Sequence, residues 1–168
     1  MVKRHTALPA GAEQRLKELG IVLPSPPTPL GAYLEAVRSG HLVFLSGMLP
    51  VVDGKPQFIG RVGGELSLQD GREAATTATL NALSAAKDLL GSLDYVTGVT
   101  RLGVFIATEG DFRGHPKVAD AASEVLASVF GADKLSSRVV LGVASLPLGV
   151  PIELELVVEV EPANLHRA

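Results

Sequence analysis

The sequence contains no cysteine and no tryptophan. The first absence excludes disulfides, a thiolate nucleophile and any zinc–thiolate centre. Aromatic residues are scarce at 4%, and charged residues make up only 20%, against about 25% in ordinary soluble proteins. Fifteen Lys plus Arg face eighteen Asp plus Glu, a net charge of −3. No run of like charge occurs, so the basic footprint that a nucleic acid requires is missing and no such partner is expected. Long apolar runs are missing too. The longest uncharged stretches, Leu19–Leu34 and Val139–Ile152, hold four and two prolines, and both fall short of the ~20 apolar residues a membrane helix needs. No membrane partner is expected. Residues 1–20 carry no apolar core of signal-peptide type, and a cytoplasmic location is the expectation. No phosphate loop, dinucleotide fingerprint or nucleophile elbow is present. His5, His41, His115 and His166 are too scattered in sequence to form a metal motif.

Apolar residues are abundant instead, at 46% with a mean hydropathy of +0.31. A chain of 168 residues suits one domain. With so little charge to cover its surface, part of that surface is expected to lie against another chain.

Residue patterning predicts the order of elements. Ala12–Leu19 reads as a short helix with Leu16 and Leu19 inward, stopped by Gly20. The run Pro24-Ser25-Pro26-Pro27-Thr28-Pro29 must be extended and stiff. Tyr33–Val37 and Leu42–Ser46 flank Arg38-Ser39-Gly40-His41 as a hairpin. A third strand is expected near Pro56–Ile59, after the turn Val52-Asp53-Gly54-Lys55, and Gly60, Gly63 and Gly64 make a loop. Ser67–Leu90 reads as a long helix with a Ser67/Asp70 capping box, an alanine stripe and a Gly91 stop. Val99–Ala107 is a strand. Pro116 opens a second helix that presents Val118, Ala122, Val125 and Val129 on one face. Arg138–Ser145 and Ile152–Val160 are the last strands, the latter alternating apolar residues with Glu153, Glu155, Val157 and Glu159. The result is an α+β protein, β-β-β-α-β-α-β-β, with a mixed sheet and both helices on one face. Residues 1–28 form an N-terminal extension, 29–161 one domain and Pro162–Ala168 a frayed tail.

Two features carry candidate chemistry. Arg138 opens an otherwise uncharged strand. It is either an exposed strand end or a guanidinium at a pocket floor, suited to grip a carboxylate with two parallel hydrogen bonds. The acids of the last strand share one face. One near an arginine would stay ionised and could orient or deprotonate a water. In a simple hairpin of the last two strands, Arg138 would lie about 23 Å from Glu153 at ~3.3 Å per residue. A shared site therefore requires that the two strands are not partners, or that it joins two chains.

The stretch Ser137-Arg138-Val139-Val140-Leu141-Gly142-Val143-Ala144-Ser145-Leu146-Pro147, followed by Val150-Pro151-Ile152-Glu153-Leu154-Glu155, resembles the C-terminal signature of the Rid/YjgF family. Gly31-Ala32-Tyr33 and Ser46-Gly47-Met48-Leu49-Pro50 resemble its Gly-Pro-Tyr and Ser-Gly-Gln-Ile-Pro motifs at the family's spacing. The likeness runs from about Pro29 to Val160. It implies a chorismate-mutase-like fold and homotrimers with ligand pockets between chains. It also implies hydrolysis of short-lived enamine or imine acids, such as 2-aminoacrylate, to a 2-keto acid and ammonia, with no cofactor or metal. It assigns Arg138 to the substrate carboxylate, Glu153 to the attacking water, and Tyr33 to the pocket wall contributed by the neighbouring chain. Ser46, Gly47 and Val140 are carried over as pocket lining. Val140 stands where a Cys is common, and Met48 replaces the motif Gln. The family's helix Asn falls on Ala121, or on Asp120 with a one-residue gap. These apolar replacements keep open a carboxylate-binding trimer without catalysis. An endoribonuclease, the activity in another of the family's names, is disfavoured by the charge and the few aromatics.

Overall fold

The computed structural model describes residues 11–161; the expected tail Pro162–Ala168 lies outside them, as do the first ten residues of the extension. Helix α1 spans Ala12–Glu18. Strands β1 (Ala36–Ser39) and β2 (Leu42–Met48) form an antiparallel hairpin. Its turn is the pair Gly40-His41, with Gly40 at a φ of 60°, where a two-residue hairpin places glycine first.

The expected third strand is replaced by a small separate hairpin, β3 (Val51–Val52) with β4 (Lys55–Pro56). Asp53 and Gly54 both adopt positive φ, the geometry of a tight two-residue turn. That turn closes the hairpin on itself, and Pro56 lacks the N–H that a longer ladder needs. The first predicted strand also starts late. Tyr33 and Leu34 lie in irregular backbone, and pairing begins at Ala36.

Helix α2 runs Leu68–Leu90 behind the predicted capping box, with Ser67 Oγ accepting from the Asp70 N–H and the Asp70 carboxylate accepting from the Ser67 N–H. Gly91 ends it in the left-handed conformation. Strand β5 (Val96–Ala107) follows, then helix α3 (His115–Phe130), strand β6 (Ser137–Val143) and strand β7 (Ile152–Val160). The main sheet has the order β1-β2-β7-β5-β6, with β5 and β6 parallel and every other pair antiparallel.

Ala74, Ala75, Ala78 and Ala82 of α2 are fully buried beside Leu102, Val104, Ile152, Leu154 and Leu156 in one core. Side chains this small let the helix axis approach its neighbours closely. Helix α1 joins that core through Ala12 and Leu16, one turn apart, while Leu19 is exposed. Glu13 ties α1 down by accepting from Lys87 Nζ at 2.7 Å and from the Leu93 N–H at 3.0 Å.

The opposite sheet face carries no layer among the described residues. Val37, Phe44, Val139 and Leu141 are exposed there. Cross-strand register places Phe44 beside Val157 and Leu141 beside Phe105, which in turn stands beside Glu153. No helix among the described residues is long and apolar enough to cross a membrane.

If small side chains set the spacing of α2, enlarging one is costly. Ala78→Leu is expected to lower unfolding free energy by about 1–3 kcal/mol in a urea titration. An unchanged midpoint would mean that the helix has room it does not use.

Candidate functional site

Register on β7 decides where the acids point. Leu154 and Leu156 pair with Val104 and Leu102 and face the helices, so Glu153 and Glu155 project from the open face. Two glycines make room for them. A Cβ on Gly47 would sit 1.9 Å from Glu153 Oε1, and one on Gly103 would sit 2.7 Å from Glu155 Cγ. Each glutamate side chain therefore lies across a glycine of the neighbouring strand, a close approach that only glycine permits.

The two glutamates then diverge. Glu155 accepts from Arg101 Nε at 2.9 Å. Glu153 has no ion-pair or hydrogen-bond partner for its carboxylate among the described residues. Burial raises its pKa above the ordinary glutamate value of 4.5, because desolvation penalises the charged form. This difference singles out Glu153, which its shared face with Glu155 could not do in the sequence.

Gly47 is part of a bulge. Leu45 pairs with Leu156 and Met48 with Leu154, so Ser46 and Gly47 together oppose a single residue of β7. The bulge is stitched to the segment before β1. Ser46 Oγ donates to the Leu34 carbonyl at 2.6 Å, and the Ser46 N–H donates to the Glu35 carbonyl at 2.9 Å. Tyr33 folds over the same corner, its hydroxyl accepting from the Leu30 N–H at 3.1 Å. Together Tyr33, Ser46, Gly47 and Glu153 line a cavity of about 400 Å³, with Leu30 and Pro147 among its other walls.

Arg138 and Val140 are elsewhere. Arg138 pairs with Leu102 and Val140 with Val104 on the parallel edge strand β6, so both face the helices. Arg138 stands on the opposite sheet face from Glu153, two strands and three register positions away, roughly 14 Å. The two strands are not hairpin partners, and within one chain the two groups still do not meet. Val140 packs against the core. The Arg138 guanidinium donates through Nη1 to Asp120 Oδ1 and Ser123 Oγ of α3, both at 2.9 Å. Of the two alignments for the helix Asn, the structure puts Asp120 at the guanidinium and buries Ala121. Ser123 was missed by sequence reasoning, although its spacing of three from Asp120 on a helix puts both on one side. Nε and Nη2 of Arg138 have no acceptor among the described residues. That free side edge is the fork that takes a carboxylate in two parallel bonds.

Met48, in place of the motif Gln, is buried and does not line the Glu153 cavity. Among the described residues no group of three His, Asp or Glu is placed to hold a metal ion.

A mixed sheet in this strand order, helices on one face and an open second face define a chorismate-mutase-like α+β protein. The family described as "YjgF/chorismate mutase-like, putative endoribonuclease" matches residues 13–160. Protein TCP17 of Trypanosoma cruzi is 36% identical over 145 residues, covering 86% of this chain and 91% of its own. A 2-iminobutanoate/2-iminopropanoate deaminase of Dermatophagoides farinae is 30% identical, covering 84% of this chain and 95% of its own. A solved structure from Agrobacterium tumefaciens, of a protein described as having unknown function, superposes with a TM-score of 0.82 at 33% identity, covering 89% of this chain and 92% of its own. The chain belongs to the Rid/YjgF family.

Because burial raises the Glu153 pKa, the folded state holds that proton more tightly than the unfolded chain. This contribution to stability is complete below 4.5 and is lost as pH rises through the raised value. Glu153→Gln removes the titration. Its stability relative to the parent is expected to improve as pH climbs from 4.5 and then to level off, read from urea unfolding at a series of pH values. A constant difference would mean that the carboxyl titrates normally.

Proposed function

We propose that this protein hydrolyses reactive 2-imino acids to 2-keto acids and ammonia, at sites completed between the chains of a homotrimer. The observation that carries the reading is the unpaired, half-buried Glu153 carboxyl lying over Gly47 in the Tyr33–Ser46 cavity. A carboxyl with a raised pKa is better matched to moving a proton near neutral pH than an ordinary surface glutamate. Its relative in Dermatophagoides farinae, named a 2-iminobutanoate/2-iminopropanoate deaminase, supports the reaction class.

The residues supply two functions. Arg138, held on one side by Asp120 and Ser123, offers its free edge to the substrate carboxylate. Glu153 takes a proton from water as the oxygen adds to the carbon of the protonated imine. The resulting carbinolamine then collapses. Glu153 returns its proton to the nitrogen, the C–N bond breaks, and ammonia leaves while the hydroxyl gives up its proton to solvent as the C=O of the keto acid forms. Imines hydrolyse readily, so fixing the carboxylate and orienting one water is enough assistance.

The placement of these groups supports an assembly of this kind. Arg138 lies at the β6 edge and Glu153 at the corner near Tyr33, so a head-to-tail ring brings one chain's edge to its neighbour's corner. The bare face with Phe44, Val139 and Leu141 is the apolar surface such a ring would cover.

A second reading, a carboxylate-binding trimer without catalysis, is favoured by one observation. Val140 packs against the core and Met48 is buried, so neither offers a polar group to a reacting substrate. Ammonia release separates the two readings.

Freshly generated 2-aminoacrylate is expected to release ammonia faster with the parent protein than without it. Arg138→Ala and Glu153→Gln should each lose at least about 100-fold of that acceleration, in the range typical of positioned acid–base groups. No acceleration with this or bulkier imino acids would leave the binding reading standing. Mixing the two inactive variants tests the shared site. On random exchange of chains, about one interface in four pairs an intact Arg138 with an intact Glu153, and activity should return to a matching fraction. Mixtures that exchange chains and stay inactive would refute a site divided between chains.

A further inference from the structure

We propose that this chain carries a second small-molecule site, separate from the Tyr33–Glu153 cavity, that takes a small apolar amine in its cationic form. This inference does not depend on the deaminase reading.

The site is a cavity of about 440 Å³, within the roughly 300–1,000 Å³ of ordinary ligand pockets. It lies between the Pro24–Pro29 segment, helix α2, the end of β2 and the β3–β4 hairpin. Pro26, Pro29, Leu30, Met48, Leu49 and Val51 give it an apolar wall. The proline segment is pinned, since Ser84 Oγ of α2 donates to the Pro24 carbonyl at 2.7 Å. Prolines have little freedom left to lose, so the wall is largely preformed before any ligand arrives.

The polar groups of this cavity point to one kind of ligand. Asn81 is 3% exposed, and its Nδ2 donates to the carbonyls of Leu49 and Val51, both at 2.8 Å. Only the NH₂ end can serve two carbonyls, which fixes the amide's orientation and leaves Oδ1 as a pure acceptor. No described residue donates to that oxygen, yet it is not sealed off among the buried atoms. For a side chain so buried, the cavity is where it can be reached. Glu35 also lines the cavity, half-buried and with no described donor for its carboxyl. Burial raises its pKa, so a cation beside it would be a favourable exchange for lost water. Asp53 adds a second carboxylate at the rim, and no Lys, Arg or His lines the space.

Every charged group lining the cavity is therefore an acid, and its buried amide offers only an acceptor. A ligand must bring N–H donors and positive charge on an apolar body, which describes an alkyl- or arylalkyl-ammonium. A carboxylate is repelled. That separates this cavity from the acid-binding chemistry around Arg138, although Leu30, Tyr33, Gly47 and Leu49 are walls common to both cavities.

The test uses the full chain and three probes of one shape: 2-phenylethylamine, 2-phenylethanol and phenylacetate, titrated by calorimetry at neutral pH. The amine is expected to bind saturably, with the alcohol weaker by at least about tenfold and phenylacetate absent from the site. Glu35→Gln should weaken the amine by at least about tenfold while leaving the alcohol unchanged. Asp53→Asn, which keeps a side chain that tolerates the positive φ of that turn, should cost less. Thermal unfolding of each variant reports whether the fold is retained. Equal affinity for amine and alcohol, or a Glu35→Gln protein that binds the amine as well as its parent, would overturn the proposal. So would loss of amine binding in Arg138→Ala, which would move the amine to the acid-binding site.

Discussion

The chemistry of this molecule depends on strand β7 lying between β2 and β5, antiparallel to both. Its period of two sends Ile152, Leu154, Leu156, Val158 and Val160 into the core and leaves Glu153, Glu155 and Glu159 on the open face. A slip of one residue would drive those carboxylates into an alanine- and leucine-lined interior. Uncompensated charge there costs far more than any strand pairing returns. The register is thus enforced by a severe penalty rather than by many small gains. Once it is set, Glu153 must meet whatever stands beside it on β2. The nearby bulge opposes Glu155, and its Gly47 leaves the space across which the Glu153 carboxyl settles.

The same constraint explains what could be read from the residues in advance. The alternation of Ile152–Val160, the capping box at Ser67 and the glycine stop at Gly91 are local signals, and each element they mark is present. The β3–β4 hairpin was not legible as such, because Val51–Val52 and Lys55–Pro56 are too short to show a period. Helix α1 buries Ala12 rather than Leu19, since a helix of 7 residues ends before Leu19 turns inward. The site was legible in part. Tyr33, Ser46, Gly47 and Glu153 come together because motif residues near the two ends of the chain meet at the β2–β7 pairing. The sequence separated Arg138 from Glu153 only for a simple hairpin; the placement of β5 between β6 and β7 leaves no local signal. Likewise, only the Arg101 ion pair tells Glu155 from Glu153.

The two cavities that share the Tyr33 corner are both lined by acids, Glu153 in one and Glu35 with Asp53 in the other. On the open-face side, Glu153 lies beside exposed apolar sheet residues, and in the proposed assembly a neighbour's Arg138 supplies a cation there. On the helix side, Glu35, Asp53 and the Asn81 oxygen present acceptors to the cavity. The backbone of β2 around Gly47 and the ring of Tyr33 stand between them. In the proposed assembly, where a neighbour's Arg138 joins Glu153, electrostatics rather than size would separate ligands of opposite charge, the two volumes being similar.

Dividing Arg138 and Glu153 between two surfaces also has a chemical consequence. Had the two met directly in one chain, the guanidinium would have paired with the carboxylate and lowered its pKa. The residue would then be a poor proton acceptor near neutral pH, and the arginine's fork would already be filled. Instead Arg138 spends only Nη1, on Asp120 and Ser123, which aim the guanidinium and leave its side edge open. In the proposed site the substrate's own carboxylate occupies that edge and keeps the cation away from Glu153. The arginine then binds the acid end of the substrate without quenching the base at the other. In the proposed reading an isolated chain holds the two halves apart, and they meet only on assembly.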